Sequence, residues 1–136
     1  MAVQNKVQLI TYPDSLGINL LELHYVLKRY LHKAVGGIHL LPFYPSSADR
    51  GFSPLTYNEV DPVFGTWADI ESIGSEFDLI IDFMVNHISR QSVFFQDYYA
   101  NGMDSEYADM FLSFNKLSPV SYTHLRAHET MRSIAY

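Results

Sequence analysis

The 136-residue sequence predicts an α/β domain assembled from parallel β/α units. Three observations lead there. Short β-branched and aromatic runs alternate with segments of helical periodicity, and the third such run is almost wholly apolar. Polar residues gather just past the second and third runs. A nearly continuous apolar strand fits a sheet covered on both faces.

The elements follow in order. Val7-Gln8-Leu9-Ile10-Thr11-Tyr12 reads as a strand, and Pro13-Asp14-Ser15-Leu16-Gly17 as the loop after it. From Asn19, a candidate N-cap, Leu20, Leu23, Leu27 and Leu31 recur at helical spacing, with Glu22, Lys28, Arg29 and Lys33 between them. Gly36-Gly37 is expected to end this helix, and Ile38-His39-Leu40-Leu41 to form a second strand closed by Pro42. A loop of some twenty residues follows, from Pro45-Ser46-Ser47 to Asp61-Pro62, with more aromatic content than a linker carries. Thr66 caps a helix over Trp67 to Phe77, and Leu79 to Val85 forms the third strand.

Composition excludes several function classes. With 48% hydrophobic and 15% aromatic residues the chain has material for a folded core. A formal net charge of -6 leaves no basic surface for nucleic acid or for an anionic membrane. There are no cysteines, so neither disulfides nor thiolate metal sites arise. Residues 1–12 lack a signal-peptide pattern, and no stretch nears the ~20 apolar residues of a membrane helix. A cytoplasmic protein is the default expectation, and nothing in the sequence signals an oligomeric state.

Parallel β/α units build either a doubly wound sheet or a barrel, and pattern alone does not separate them. No G-x-G-x-x-G follows the first strand and no Walker lysine motif occurs, which removes the usual nucleotide signatures of the doubly wound sheet. The polar residues at the strand ends lie where a (β/α)₈ barrel keeps its active site.

Gly51-Phe52-Ser53-Pro54-Leu55-Thr56-Tyr57, followed by Val60-Asp61-Pro62-Val63-Phe64-Gly65-Thr66, resembles the loop after the second strand in enzymes of the α-amylase superfamily, glycoside hydrolase family 13. Asp82-Phe83-Met84-Val85-Asn86-His87 is similar to the superfamily signature D-x-x-x-N-H. Residues 5–12, 41–52 and 86–92 resemble the sucrose phosphorylase group in particular, and the likeness extends over about residues 4 to 112. It implies the N-terminal part of a (β/α)₈ TIM barrel, about three β/α units, truncated, that runs into an inserted subdomain after the third strand.

The resemblance also implies a reaction. In that group an aspartate attacks the glucosyl anomeric carbon, a glutamate protonates the departing fructose, and phosphate takes the glucosyl unit. Two carboxyl groups about 5 Å apart perform such retaining chemistry. The family carries them after later strands, so no catalytic residue is expected in this chain. Its expected contribution is to the binding of sucrose: Asp49 accepts hydrogen bonds from glucosyl hydroxyls, Phe52 packs on the sugar ring and His87 donates to the 6-hydroxyl. Asp82 and Asn86 are structural residues at the site. No metal and no cofactor are implied, inorganic phosphate being a co-substrate. The alternatives are an amylase-like or sucrose hydrolase and a non-catalytic binding or assembly fragment.

Other residues read as structural. Trp67, Phe94, Phe95, Tyr98 and Tyr99 are expected in core and helix packing, and His39 as a hydrogen-bonded core histidine. Residues 113–136 are expected to be a non-native or disordered tail, in which the stretch from about 118 resembles a translated sequencing adapter. His124, His128 and Glu129 there form H-x-x-x-H-E, which misplaces the general base of a zinc protease motif.

Overall fold

The computed structural model describes residues 5–113. The chain divides into two compact units, Met1–Met84 and Val85–Tyr136. In the first unit β1 (Val7–Thr11), α1 (Leu20–Val26), β2 (Val35–Leu40), α2 (Trp67–Glu76) and β3 (Asp78–Ile81) follow one another. The strands pair in parallel in the order β1-β2-β3, each pair joined through a helix. This is the repeat that the alternation of patterns predicts.

Both helices begin where a side chain satisfies free backbone donors. Asn19 Oδ1 accepts from Glu22 N at 2.9 Å. At α2, Asp69 Oδ2 accepts from the backbone N and the hydroxyl of Thr66, each at 2.8 Å.

The end of the first helix differs from expectation. After Val26 the chain makes a π-helical turn, Leu27–Leu31, and then turns into β2. Gly36 and Gly37 do not cap the helix; they lie buried inside β2. A Cβ on Gly36 would stand 2.6 Å from Lys6 Cβ, and one on Gly37 3.0 Å from Gln8 Cγ. The glycines therefore serve the close approach of the neighbouring strand.

Leu20, Leu23 and Leu27 from the first helical segment meet Ile70, Ile73 and Phe77 over Ile38 and Leu40 of β2. Leu31, the last residue of the apolar stripe, is only partly buried. The register row Leu9, Ile38, Leu79 packs on this helix side. The next row, Ile10, His39, Ile80, turns the other way, and there Ile10 is 63% and Ile80 41% exposed. Coverage on both faces is thus met on the helix side alone among the described residues. β3 also stops at Ile81, four residues before the expected end, and residues 82–89 have no regular structure.

In the second unit α3 spans Val93–Asn101, and Ser92 Oγ caps it by accepting from Phe95 N at 3.1 Å. Phe94 meets Tyr107 edge-on at 5.1 Å, and Tyr98 stacks on Phe111 at 4.7 Å, with Phe95 edge-on to the same ring at 5.7 Å. Tyr99, expected with them in the core, is 75% exposed. No helix among the described residues is long and apolar enough to cross a membrane. The expected tail, apart from Ser113, with His124, His128 and Glu129, lies outside the described residues.

Candidate functional site

In the first unit Asp49 and Phe52 sit in the loop that leaves the C-terminal end of β2 and Asp82 directly follows β3, and the loop after β2 is the more highly built. Ser46 pairs with Pro54 in an isolated antiparallel bridge, Ser47 N donates to Ser53 O at 3.0 Å, and Leu55 N donates to Pro45 O at 2.8 Å. The Ser46 hydroxyl donates across the loop mouth, 2.7 Å from Ala48 O and 2.8 Å from Ser53 O. These bonds close residues 45–55 on themselves.

At the tip, Asp49–Gly51 forms a single tight turn, in which Phe52 N donates to Asp49 O at 3.0 Å. Asp49 and Phe52 thus belong to one turn. Asp49 (φ 56), Arg50 (φ 49) and Gly51 (φ 100) all lie in the left-handed half of backbone space. This is costly for the two residues with side chains, and such strain persists where surrounding contacts enforce it. At Gly51 a Cβ would come within 2.7 Å of Pro42 Cβ and 2.8 Å of Pro42 O, so only glycine fits. The Asp49 carboxylate is exposed, while Phe52 is half-buried.

Arg50, which the sequence does not single out, reaches back to the segment leaving β1. Its Nη2 donates to Asp14 Oδ1 at 3.0 Å, and its Cζ lies 3.9 Å from the centre of the Tyr12 ring. The two loops are clasped through this one side chain. A concavity of about 250 Å³, lined among others by Tyr44, Ser46, Asp49, Arg50, Asp61 and Phe64, opens beside the turn. A larger one of about 460 Å³, lined by Lys28, His32, Glu76 and Phe77, lies where the chain enters β2 and β3. None of the predicted site residues lines it.

Asp82 directly follows β3, and its Oδ1 lies 2.9 Å from His39 Nε2 on the neighbouring strand. A neutral imidazole protonated at Nε2 makes this bond as donor. His39 is hydrogen-bonded as expected, but it is half-buried on the open face of the sheet rather than in the core. An aromatic stack supports the same strand ends. Tyr44 packs edge-on to Tyr57 at 5.0 Å, Tyr57 lies 4.3 Å from the Phe83 ring, and the Tyr57 hydroxyl donates to Met84 O at 2.6 Å. Burial, with Tyr44 adding to it, pushes the Tyr57 phenol up to about 12. Burial and then the Asp82 charge raise that of Tyr44. Both phenols remain neutral at physiological pH; the Tyr57 hydroxyl acts as a donor and both rings as packing surfaces. Trp67 joins the stack edge-on to Phe43 at 5.5 Å and donates from Nε1 to Asn58 O at 3.0 Å, although it is 37% exposed.

Asn86 and His87 belong to the second unit. His87 follows β3 by six residues, in irregular backbone, and is half-buried, while Asn86 is exposed. Among the described residues, no cluster of three or more His, Asp or Glu side chains is close enough to hold a metal ion.

The alpha amylase catalytic domain family matches residues 25–131. The sucrose 6(F)-phosphate phosphorylase of Thermoanaerobacterium thermosaccharolyticum is 57% identical over 86% of this chain and 24% of its own length. Sucrose phosphorylase of Streptococcus mutans is 51% identical over 88% of this chain and 25% of its own. The glucosylglycerol phosphorylase of Marinobacter adhaerens is 54% identical over 89% of this chain and 25% of its own. A crystal structure of sucrose 6F-phosphate phosphorylase superposes with a TM-score of 0.77 at 55% identity, over 89% of this chain and 25% of that one. A MutB mutant in complex with sucrose superposes with a TM-score of 0.65 at 26% identity, over 79% and 21%. The chain spans about a quarter of the length of these relatives, and its three parallel strands and their helices correspond to part of a (β/α)₈ barrel. With the motif order, the parallel β/α repeat and the family match in agreement, the chain belongs to the α-amylase catalytic-domain family and is sucrose phosphorylase-like in sequence.

Proposed function

We propose that the full-length enzyme containing this chain phosphorolyses sucrose or a closely related α-glucoside by retaining double displacement. The observation that carries this reading is 51–57% identity to glycoside phosphorylases through the segments that hold the strand-end motifs. Asp49, Phe52 and His87 hold the glucosyl unit, with Asp82 and Asn86 as structural residues at the site. An ionised carboxylate suits paired sugar hydroxyl donors, and an aromatic ring suits the apolar face of a pyranose.

The chemistry follows from two further carboxyl groups. An aspartate forms a bond to the anomeric carbon as the glycosidic C–O bond breaks, and a glutamic acid gives its proton to the departing fructosyl oxygen. A phosphate oxygen then attacks the same carbon and displaces the aspartate, while the glutamate takes up the phosphate proton. Two inversions return the α configuration in glucose 1-phosphate. Both carboxyl groups belong to the later strands of the barrel, so the 136-residue chain supplies substrate contacts and is inactive by itself. No cofactor is involved.

The test is an assay of the full-length enzyme with sucrose in the presence and absence of phosphate. Glucose 1-phosphate as main product supports the reading, and free glucose formed at the same rate without phosphate makes the enzyme a hydrolase. Sucrose 6F-phosphate offered in parallel decides whether the acceptor sugar is phosphorylated.

A further inference from the structure

The turn that carries Asp49 is strained, exposed and held from outside. Two consecutive non-glycine residues, Asp49 and Arg50, adopt left-handed backbone, and the second of them reaches the other loop. Its guanidinium lies 3.9 Å from the centre of the Tyr12 ring and donates to Asp14 Oδ1 at 3.0 Å. Both partners are anchored by position. Tyr12 directly follows β1, and the next residue but one is Asp14, with Ser15 N donating to Tyr12 O at 3.3 Å to close the intervening turn. β1 is in turn paired to β2, from which the strained loop leaves. Arg50 therefore joins the exits of two paired strands at the point where the backbone is least favourable.

We propose that Arg50 is a positioning residue: its clasp on Tyr12 and Asp14 holds the left-handed turn that presents Asp49 and Phe52 to the glucosyl unit. This rests on the sugar-binding role assigned above to those two residues. A guanidinium is suited to the task because one planar group stacks on a ring and donates in its own plane, which an ammonium does not do. With the clasp released, Asp49 and Arg50 lose the contact from outside the loop that opposes relaxation toward ordinary backbone. The carboxylate then spends only part of its time in the binding geometry.

The experiment uses the full-length enzyme with Arg50→Ala, Arg50→Lys and Asp14→Ala, plus Arg29→Ala as a control for loss of an exposed arginine near a ring. Arg29 Cζ stands 5.8 Å from the Tyr30 ring centre in the π-helical turn after α1. Arg50→Ala is expected to raise KM for the glucosyl donor roughly tenfold with little change in the thermal midpoint, the loss of a contact that orders the free site. Arg50→Lys recovers only part of this, Asp14→Ala with Arg50→Ala is no worse than Arg50→Ala alone, and Arg29→Ala has no effect. Amide hydrogen exchange over residues 46–53 is measured alongside and accelerates in Arg50→Ala whichever reaction the enzyme catalyses. Unchanged exchange overturns the clasp. Faster exchange with unchanged KM overturns its role in positioning. A wild-type enzyme that turns over no glucoside at all overturns the proposed function, while the exchange measurement still decides the clasp.

Discussion

The two faces of the three-stranded sheet are finished to different degrees. On one, Leu20, Leu23, Leu27, Ile70 and Ile73 from the helical segments close over Ile38 and Leu40, and every one of these side chains is at most 5% exposed. On the other, Ile10 and Ile80 flank the His39–Asp82 pair and keep 63% and 41% of their surface open. The contrast shows how a barrel distributes its stability. Local β/α units complete the outer layer early, since each helix lies close in sequence to the strands it covers. The inner layer is built from side chains of all strands around the ring. A quarter of the sequence can therefore complete its own share of the outer layer while its share of the inner layer stays open.

The largest expected effect tests the contrast directly. The 136-residue chain by itself should unfold over a broad range without a sharp cooperative transition, and should bind an apolar dye, because among the described residues its inner face and its β1 and β3 edges are open. Differential scanning calorimetry and dye fluorescence check this. A sharp transition of monomer would show that the inner face is dispensable, whereas lower dye binding in an Ile10→Thr, Ile80→Thr variant would locate the exposed surface there.

Next in size is the outer layer. Leu23→Ala in the full-length enzyme removes a wholly buried side chain and should cost about 2–5 kcal/mol, read from urea unfolding. A loss below about 1 kcal/mol would mean that the helix face is no better packed than the open one.

At the edge of that layer, Asn19→Ala removes the acceptor for Glu22 N and should cost about 1 kcal/mol in the same measurement. Asn19→Asp should cost much less, because a carboxylate caps equally well.

The smallest effect concerns the ends of the two helices. Lys28 Nζ donates to Glu76 Oε1 at 2.6 Å, and His24 Nε2 lies 3.3 Å from the same oxygen. The Lys28 hydrogen bond is the main cause holding the Glu76 carboxyl below the usual carboxylate range. A carboxyl lowered on folding stabilises the fold above its unfolded value, and the contribution fades as pH falls through the lowered folded value. Lys28→Ala should move the Glu76 titration, followed by carboxyl NMR shifts, upward toward the ordinary range. An unchanged titration would show that the pair is not formed in solution.

Much of this was legible because it is local. Asn19 and Thr66 lie within three residues of their partners, and leucines at helical spacing occupy one side of a helix wherever it packs. Strand alternation, loop positions and the order of the two motifs likewise need no knowledge of distant residues. The candidate site was legible by resemblance to a family whose members keep those motifs at the strand ends.

Tertiary structure alone decided the rest. Gly36-Gly37 has the sequence of a helix stop, yet Lys6 just before β1 and Gln8 within it occupy the space a side chain would need, and the glycines go into β2. The apolar run through Val85 has the composition of a long strand, but β3 ends at Ile81, beyond which Tyr57 takes the Met84 carbonyl. Arg50 meets Asp14 across 36 positions and His39 meets Asp82 across 43. The sequence by itself determined where helices start and which sides are apolar, because these depend on neighbours a few residues away. Which residue holds the strained turn, and where the last strand stops, were decided by contacts between segments far apart in the chain, which no local pattern encodes.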